Sequence, residues 1–174
     1  MGLFEEDVDP ERPDVVHWRG QVRHLWTMEQ LLPVLPLHQN TIRMYDRDVK
    51  VPRLECWFGL RSYTFGGRTE TPAPWPDAVL EVKKFIDALV AVTFDSCFVN
   101  YYRDGEDSIA WHADDDTWIG EPIATRCTKY EWILGDGDVF VMNAGVQAKW
   151  EHSIPKVSNA VGPRLNLTFR RTVS

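Results

Sequence analysis

The chain has 174 residues, of which 44% are hydrophobic and 26% charged, and these proportions are typical of a water-soluble globular domain with its own core. No apolar run is long enough to span a bilayer, and the acidic N-terminus lacks the basic and apolar regions of a signal peptide. Three cysteines without a Cys-x-x-Cys pair argue against a disulfide framework or a zinc ribbon, and a formal net charge of −7 disfavours tight non-specific binding to nucleic acid.

The first elements are short. Residues 1–14 are acidic and predict a flexible tail, while residues 15–174 predict a single domain. Thr27-Met28-Glu29-Gln30 has the spacing of a capping box and predicts a short helix. The segment from Thr41 to Leu54 predicts two strands joined by the turn Tyr45-Asp46-Arg47-Asp48.

A longer helix is predicted from Pro76 to Leu89. Pro76 suits the first helical position, and Val79, Val82 and Ile86 recur at helical spacing. The segments Cys97 to Tyr102 and Asp138 to Met142 then predict strands. We therefore expect a mainly β protein with flanking helices (α+β).

His112-Ala113-Asp114 is the first candidate for chemistry. On a strand or at its end, residues two apart point to the same face, so both side chains can bind one metal ion. His152 is the best third ligand, because it follows one predicted strand and precedes another. Two histidines and one carboxylate form the facial set that binds iron(II) and leaves open positions. A surface histidine among acids is the alternative, since a His-x-acid pair alone is a weak motif.

Arg164 to Arg170 alternates strictly between polar and apolar residues and predicts a strand with one face of each kind. The polar face carries Arg164, Asn166, Thr168 and Arg170. Arginine is the side chain best shaped to hold a carboxylate, so two arginines on one face suit a dicarboxylate. A solvated edge strand is the alternative.

Four motifs in this order resemble the AlkB family of dioxygenases. They are Asn100-Tyr101-Tyr102-Arg103-Asp104-Gly105, His112-Ala113-Asp114, His152, and Arg164-Leu165-Asn166-Leu167-Thr168-Phe169-Arg170. Upstream, Val51-Pro52-Arg53-Leu54, Tyr63-Thr64-Phe65-Gly66-Gly67 and Pro74-Trp75-Pro76 resemble the nucleotide-recognition lid of the family. The resemblance covers about residues 34–172.

The resemblance implies a double-stranded β-helix (jelly-roll) core, with the lid at about 34–75 and the catalytic jelly roll at about 94–174. It implies iron(II) bound by His112, Asp114 and His152, with 2-oxoglutarate as cofactor and O2 as co-substrate. The 2-oxoglutarate residues would be Asn100, Tyr102, Arg164, Asn166, Thr168 and Arg170.

The resemblance further implies oxidative demethylation of N-alkylated bases in DNA or RNA by a monomer located in the cytoplasm or the nucleus (nucleoid). The substrate residues would be Tyr63, Thr64, Phe65, Asp115, Asp116, Tyr45 and Asp46. Three other functions stay open: the same oxidation of a protein or lipid group, a catalytically silent nucleic-acid-binding module, and a structural metal-binding jelly roll. The base, the nucleic acid and the strand state are not determined by the sequence.

One segment departs from the family. Only 37 residues separate Asp114 from His152, fewer than is usual in the family. The shortening falls between Ala124 and Tyr130, and Arg126 is the candidate there for a substrate-facing arginine.

Overall fold

The computed structural model describes residues 12–44, 46–65, 68–114 and 129–171, and within them it is mainly β. The two α-helices are α1 (Met28–Leu31), which continues into a short 3-10 helix (Leu32–Val34), and α2 (Asp77–Val90). The strands are β1 (Val15–Trp18), β2 (Thr41–Met44), β3 (Arg47–Lys50), β4 (Leu54–Phe58), β5 (Tyr63–Phe65), β6 (Arg68–Glu70), β7 (Ser96–Tyr102), β8 (Ile109–His112), β9 (Val139–Met142), β10 (His152–Ile154) and β11 (Arg164–Arg170). The prediction of a mainly β protein with a few helices is confirmed.

Two compact units divide the chain, and each is built from two segments. The first unit takes its described residues from Met1–Arg23 and Trp111–His152, and the second takes its own from His24–Ala110 and Ser153–Ser174. In the first unit, β1 pairs antiparallel with β9. The second unit contains a three-stranded sheet in the order β11-β7-β4 and the antiparallel hairpins β2-β3 and β5-β6.

The three-stranded sheet has one apolar face and one face, here called the polar face, that carries most of its polar side chains, because side chains alternate along each strand. Cys97 and Val99 of β7, which are both fully buried, lie on the apolar face with Cys56 and Phe58 of β4. Leu165, Leu167 and Phe169 of β11 pack against the same core. The alternation predicted for Arg164 to Arg170 is thus confirmed.

Helix α2 covers the apolar core with Ala78 and Val79, and Val82 and Ile86 are also buried. The predicted start was wrong by one residue, because Pro76 has an extended backbone (ψ 144°) and caps the helix from outside. The helix ends where Ala91 adopts a left-handed conformation (φ 54°), a common way to terminate a helix.

The other predicted elements are found with small changes. Helix α1 begins after Thr27, whose backbone N–H donates to the Gln30 side chain at 2.9 Å, as in a capping box. The hairpin β2-β3 turns within two residues, so Arg47 and Asp48 belong to β3 and not to the predicted four-residue turn. The left-handed φ of 60° at Asp46 makes this tighter turn possible.

The Asp138 carboxylate links the two segments of the first unit through hydrogen bonds. It accepts hydrogen bonds from Gly20 N and Gly135 N and lies 2.8 Å from His17 Nε2. These contacts, Gly135 first, lower the pKa of Asp138 to about 2. Asp14, at the end of the predicted tail, accepts from Asn143 through both its backbone and its side chain, and residues 1–11 of that tail lie outside the described part.

None of the described helices combines the length and the apolar character that a membrane span requires.

Candidate functional site

The structure brings His112, Asp114 and His152 together. His112 is the last residue of β8 and His152 is the first residue of β10, and these two strands form a two-stranded sheet. The two imidazole rings lie with their centroids 4.1 Å apart. Asp114 follows β8 after a single residue, so its carboxylate reaches the same place.

The Asp114 carboxylate approaches one nitrogen of each ring. Its Oδ1 is 3.5 Å from His112 Nε2, and its Oδ2 is 3.7 Å from His152 Nε2. The side chains are 20%, 16% and 34% exposed for His112, Asp114 and His152 respectively. The group is therefore accessible from solvent and separate from the apolar core.

This arrangement fits a divalent first-row metal. Two ligand atoms that each lie about 2.1 Å from one ion are separated by at most about 4.2 Å, and both measured distances are within that limit. Two imidazoles and one carboxylate are the donor set of the iron(II) facial triad. Among the described residues this is the one group of three or more His, Cys, Asp or Glu side chains that converges in this way.

Gln147 supports the triad, and sequence reasoning missed it. Its Oε1 accepts a hydrogen bond from the Asp114 backbone N–H at 3.1 Å, while its Nε2 lies 3.3 Å from Met142 Sδ. This contact fixes the turn that presents the Asp114 carboxylate. No sequence pattern predicts this contact, since Gln147 belongs to an irregular segment after β9.

The residues predicted to bind 2-oxoglutarate share one face of the three-stranded sheet. Arg164 pairs with Tyr102, and Asn166 pairs with Asn100, across β11 and β7. Paired residues of an antiparallel sheet point to the same side, and residues two apart along a strand do so as well. The shared face therefore carries all six predicted residues, listed in chain order as Asn100, Tyr102, Arg164, Asn166, Thr168 and Arg170.

This polar face is partly withdrawn from water. Asn100 and Tyr102 are buried, and every residue of β11 is half-buried. Burial lowers the pKa of the Arg164 guanidinium, although nearby Tyr102 opposes the shift. Partial burial strengthens electrostatic interactions with a ligand, so these arginines suit a bound carboxylate better than fully solvated ones would.

The predicted substrate residues are described only in part. Tyr63, Thr64 and Phe65 form strand β5, but the side chains of Tyr63 and Phe65 fall outside the described part of the molecule. Tyr45, Asp115, Asp116 and Arg126 also lie outside the described residues, as does most of the shortened segment. Asp46 is exposed at the tip of the hairpin.

Residues 14–127 match the model of the 2OG-Fe(II) oxygenase superfamily. The alpha-ketoglutarate-dependent dioxygenase alkB homolog 3 of Homo sapiens is 33% identical over 172 residues, which cover 83% of this chain and 60% of that protein. The chain belongs to the AlkB family of 2OG-Fe(II) oxygenases.

A second set of AlkB relatives carries a more explicit name. The DNA oxidative demethylase ALKBH2 of Homo sapiens is 27% identical over 157 residues, covering 75% of this chain and 60% of that protein. The chain thus spans about three fifths of the length of the curated relatives that it matches. Membership of the family implies iron(II) and 2-oxoglutarate as cofactors.

Proposed function

We propose that this chain catalyses the oxidative demethylation of N-alkylated nucleobases in DNA or RNA. Each turnover consumes O2 and 2-oxoglutarate and yields succinate, carbon dioxide, formaldehyde and the base with N–H in place of N–CH3. The convergence of His112, Asp114 and His152 carries the proposal, because this donor set belongs to iron(II) oxygenases. The names of the relatives supply the class of substrate.

The residues divide into two tasks. His112, Asp114 and His152 would hold iron(II), which together with 2-oxoglutarate supplies the oxidation of the methyl group. Arg164 would hold the distal carboxylate of 2-oxoglutarate, and Arg170, with Asn166 nearby, would hold the end next to the metal. We also propose that the strands belong to a double-stranded β-helix of a single domain (15–174), with the lid at about 34–75 and the catalytic part at about 94–174.

The decisive experiment measures both products. An oligonucleotide containing 3-methylcytosine should give formaldehyde and succinate with the wild type, iron(II) and 2-oxoglutarate. The variants His112→Ala, Asp114→Ala and His152→Ala should each give neither product while keeping the circular dichroism of the fold. His24→Ala is the matched control, because His24 is exposed and lies outside the triad. Near-native turnover in any triad variant would remove that residue from the ligand set.

For the substrate side, we propose that Tyr63 and Phe65 stack on a base extruded from its strand, which aromatic rings do at roughly 1–3 kcal/mol per base. Thr64 would line the same lid, and the hairpin tip at Tyr45 and Asp46 would contact the nucleic acid. Asp115 or Asp116 would face the base and favour a methylated base that carries positive charge.

The test of this preference compares 3-methylcytosine with neutral N6-methyladenine in otherwise identical oligonucleotides. The wild type should act faster on the cationic base, and Asp115→Ala should lose that preference. Equal wild-type rates would refute the electrostatic part of the proposal. Succinate formation with a peptide, and no formaldehyde from either oligonucleotide, would show that the substrate is a protein and not a nucleic acid.

A further inference from the structure

Arg53 is a buried cation in the second unit, with 7% of the residue exposed. Its Nε donates to Asn100 Oδ1 at 2.9 Å, and its Nη1 donates to the backbone carbonyl of Ser108 at 3.2 Å. Its Nη2 forms an ion pair with the Glu55 carboxylate. The guanidinium therefore has a separate partner for each of its three nitrogens.

The partner carboxylate is itself held in place. Glu55 is 5% exposed and pairs with Asn100 in the register of β4 and β7. Its second oxygen, Oε2, accepts from Asn40 Nδ2 at 2.7 Å, and that amide also contacts Glu70 Oε1 at 2.8 Å. A planar guanidinium bound on several sides has little freedom to rotate, so the Arg53 Nε–H direction is fixed.

The contact determines which way the Asn100 amide faces. A guanidinium has only donors, so the amide atom that meets Arg53 must be the oxygen. The Nδ2 group is then on the other side of the amide and remains the donor that Asn100 offers to a ligand. A carboxylate ligand needs such donors, whereas a flipped amide would present it with an oxygen.

We propose that Arg53 is a positioning residue for 2-oxoglutarate, acting through Asn100 by holding its amide with Nδ2 as the donor toward the cofactor. The inference rests on the proposed function, in which Asn100 contacts 2-oxoglutarate. The ion pair between Arg53 and Glu55 holds the guanidinium, and with it the Asn100 amide, in this orientation before the cofactor binds. The site is thus pre-organised for an anion.

The test measures 2-oxoglutarate binding by calorimetry, without oxygen and with manganese(II) in place of iron. Arg53→Lys keeps the charge toward Glu55 but cannot serve all three partners at once, so it should weaken binding by about tenfold or more, a size found for residues that support a site from behind. Arg61→Lys is the matched control, because Arg61 is exposed in the same unit. It should bind 2-oxoglutarate like the wild type.

A double-mutant cycle separates positioning from general damage. In an Asn100→Ala background the amide is gone, so Arg53→Lys should cause no further loss of 2-oxoglutarate affinity. Full additivity of the two losses, or wild-type affinity in Arg53→Lys alone, would overturn the inference. A wild type that binds no 2-oxoglutarate would overturn the proposed function, and this inference with it.

If Arg53→Lys does not fold, a second variant tests the orientation of the Asn100 amide. Asn100→Asp keeps an oxygen for Arg53 and replaces the Nδ2 donor with another oxygen. It should fold, because Arg53 can pair with the new carboxylate, and it should bind 2-oxoglutarate at least about tenfold more weakly. Unchanged affinity in Asn100→Asp would refute the orientation argument.

Discussion

Arg164 depends on the shape of its side chain as much as on its charge. It is half-buried on β11 opposite Tyr102, where a guanidinium can hold a carboxylate through two parallel hydrogen bonds and an ammonium cannot. Arg164→Lys should therefore raise the KM for 2-oxoglutarate by about tenfold, with little change in the KM for methylated oligonucleotide. Steady-state formaldehyde release at varied concentrations of each reactant measures both. A change confined to the KM for the oligonucleotide would indicate that Arg164 binds the nucleic acid and not 2-oxoglutarate.

Asp138 makes the stability of the fold depend on pH. Its folded-state pKa of about 2 lies below the ordinary value of 3.8, so its charged form stabilises the fold above about pH 4, and this contribution is lost as the pH falls toward 2. Asp138→Asn should lower the free energy of unfolding by up to about 2 kcal/mol at pH 7. The difference from the wild type should shrink between pH 4 and pH 2 in denaturant titrations.

Asp136→Asn is the control for this pH dependence. Asp136 is 73% exposed and pairs with the exposed Arg23, and such pairs contribute little to stability. Its unfolding curve should follow the wild type at every pH. A gap between Asp138→Asn and the wild type that stays constant down to pH 2 would contradict the assignment.

At the scale of elements, the loop after β7 is closed by a tight contact at Gly105. Its carbonyl accepts from Val157 N at 2.9 Å, and a Cβ added at Gly105 would lie 2.5 Å from the Val157 carbonyl oxygen. Gly105→Ala should lower the free energy of unfolding by about 1–3 kcal/mol, because backbone must move to admit the methyl group. Thermal or chemical unfolding gives the value.

Gly162→Ala provides the comparison for Gly105. A Cβ at Gly162 would meet nothing within 4 Å, so this substitution should be neutral or stabilise the protein by up to about 1 kcal/mol. Equal changes in the free energy of unfolding for the two alanine variants would show that the contact with Val157 does not cause the loss of stability in Gly105→Ala.

The elements that sequence predicted well are those with strong local patterns. Helix α2 and strand β11 have clear periodicity, and each is found within a residue or so of its predicted bounds. Strand β4 was not recognised, because Leu54–Phe58 is buried nearly throughout and so does not alternate. Strand β1 was also missed, since it gains its partner β9 from more than a hundred residues away.

The site shows the same limit. The triad was predicted from a short motif together with a resemblance, and its three side chains do converge. Gln147 and Arg53 were not recognised as supporting residues, because each acts on a residue more than thirty positions away. Such contacts depend on the tertiary fold and leave no periodic trace in the chain.

At the scale of the whole molecule, metal binding and stability should be linked. All three triad residues belong to the first unit, in its segment Trp111–His152, where 37 residues separate Asp114 from His152. An ion that binds only the folded state stabilises it by mass action, by about 2.7 kcal/mol at a hundred times its Kd. Manganese(II) should therefore raise the thermal midpoint of the chelator-treated wild type by several degrees.

The His152→Ala variant serves as the reference for this shift. The variant lacks one of the three proposed ligands, so its midpoint should not respond to the same manganese concentration, while His24→Ala should respond like the wild type. An equal rise in wild type and His152→Ala would place the stabilising ion elsewhere.

Strand β7 makes the protein intolerant of a particular kind of genetic change. Its residues alternate between the core, where Cys97 and Val99 lie, and the polar face with Asn100 and Tyr102. Deleting or inserting one residue within Ser96–Tyr102 would exchange the two faces beyond that point. Such an indel would turn polar side chains toward the apolar core and core side chains toward the polar face, so evolution and library design alike are restricted here to substitutions.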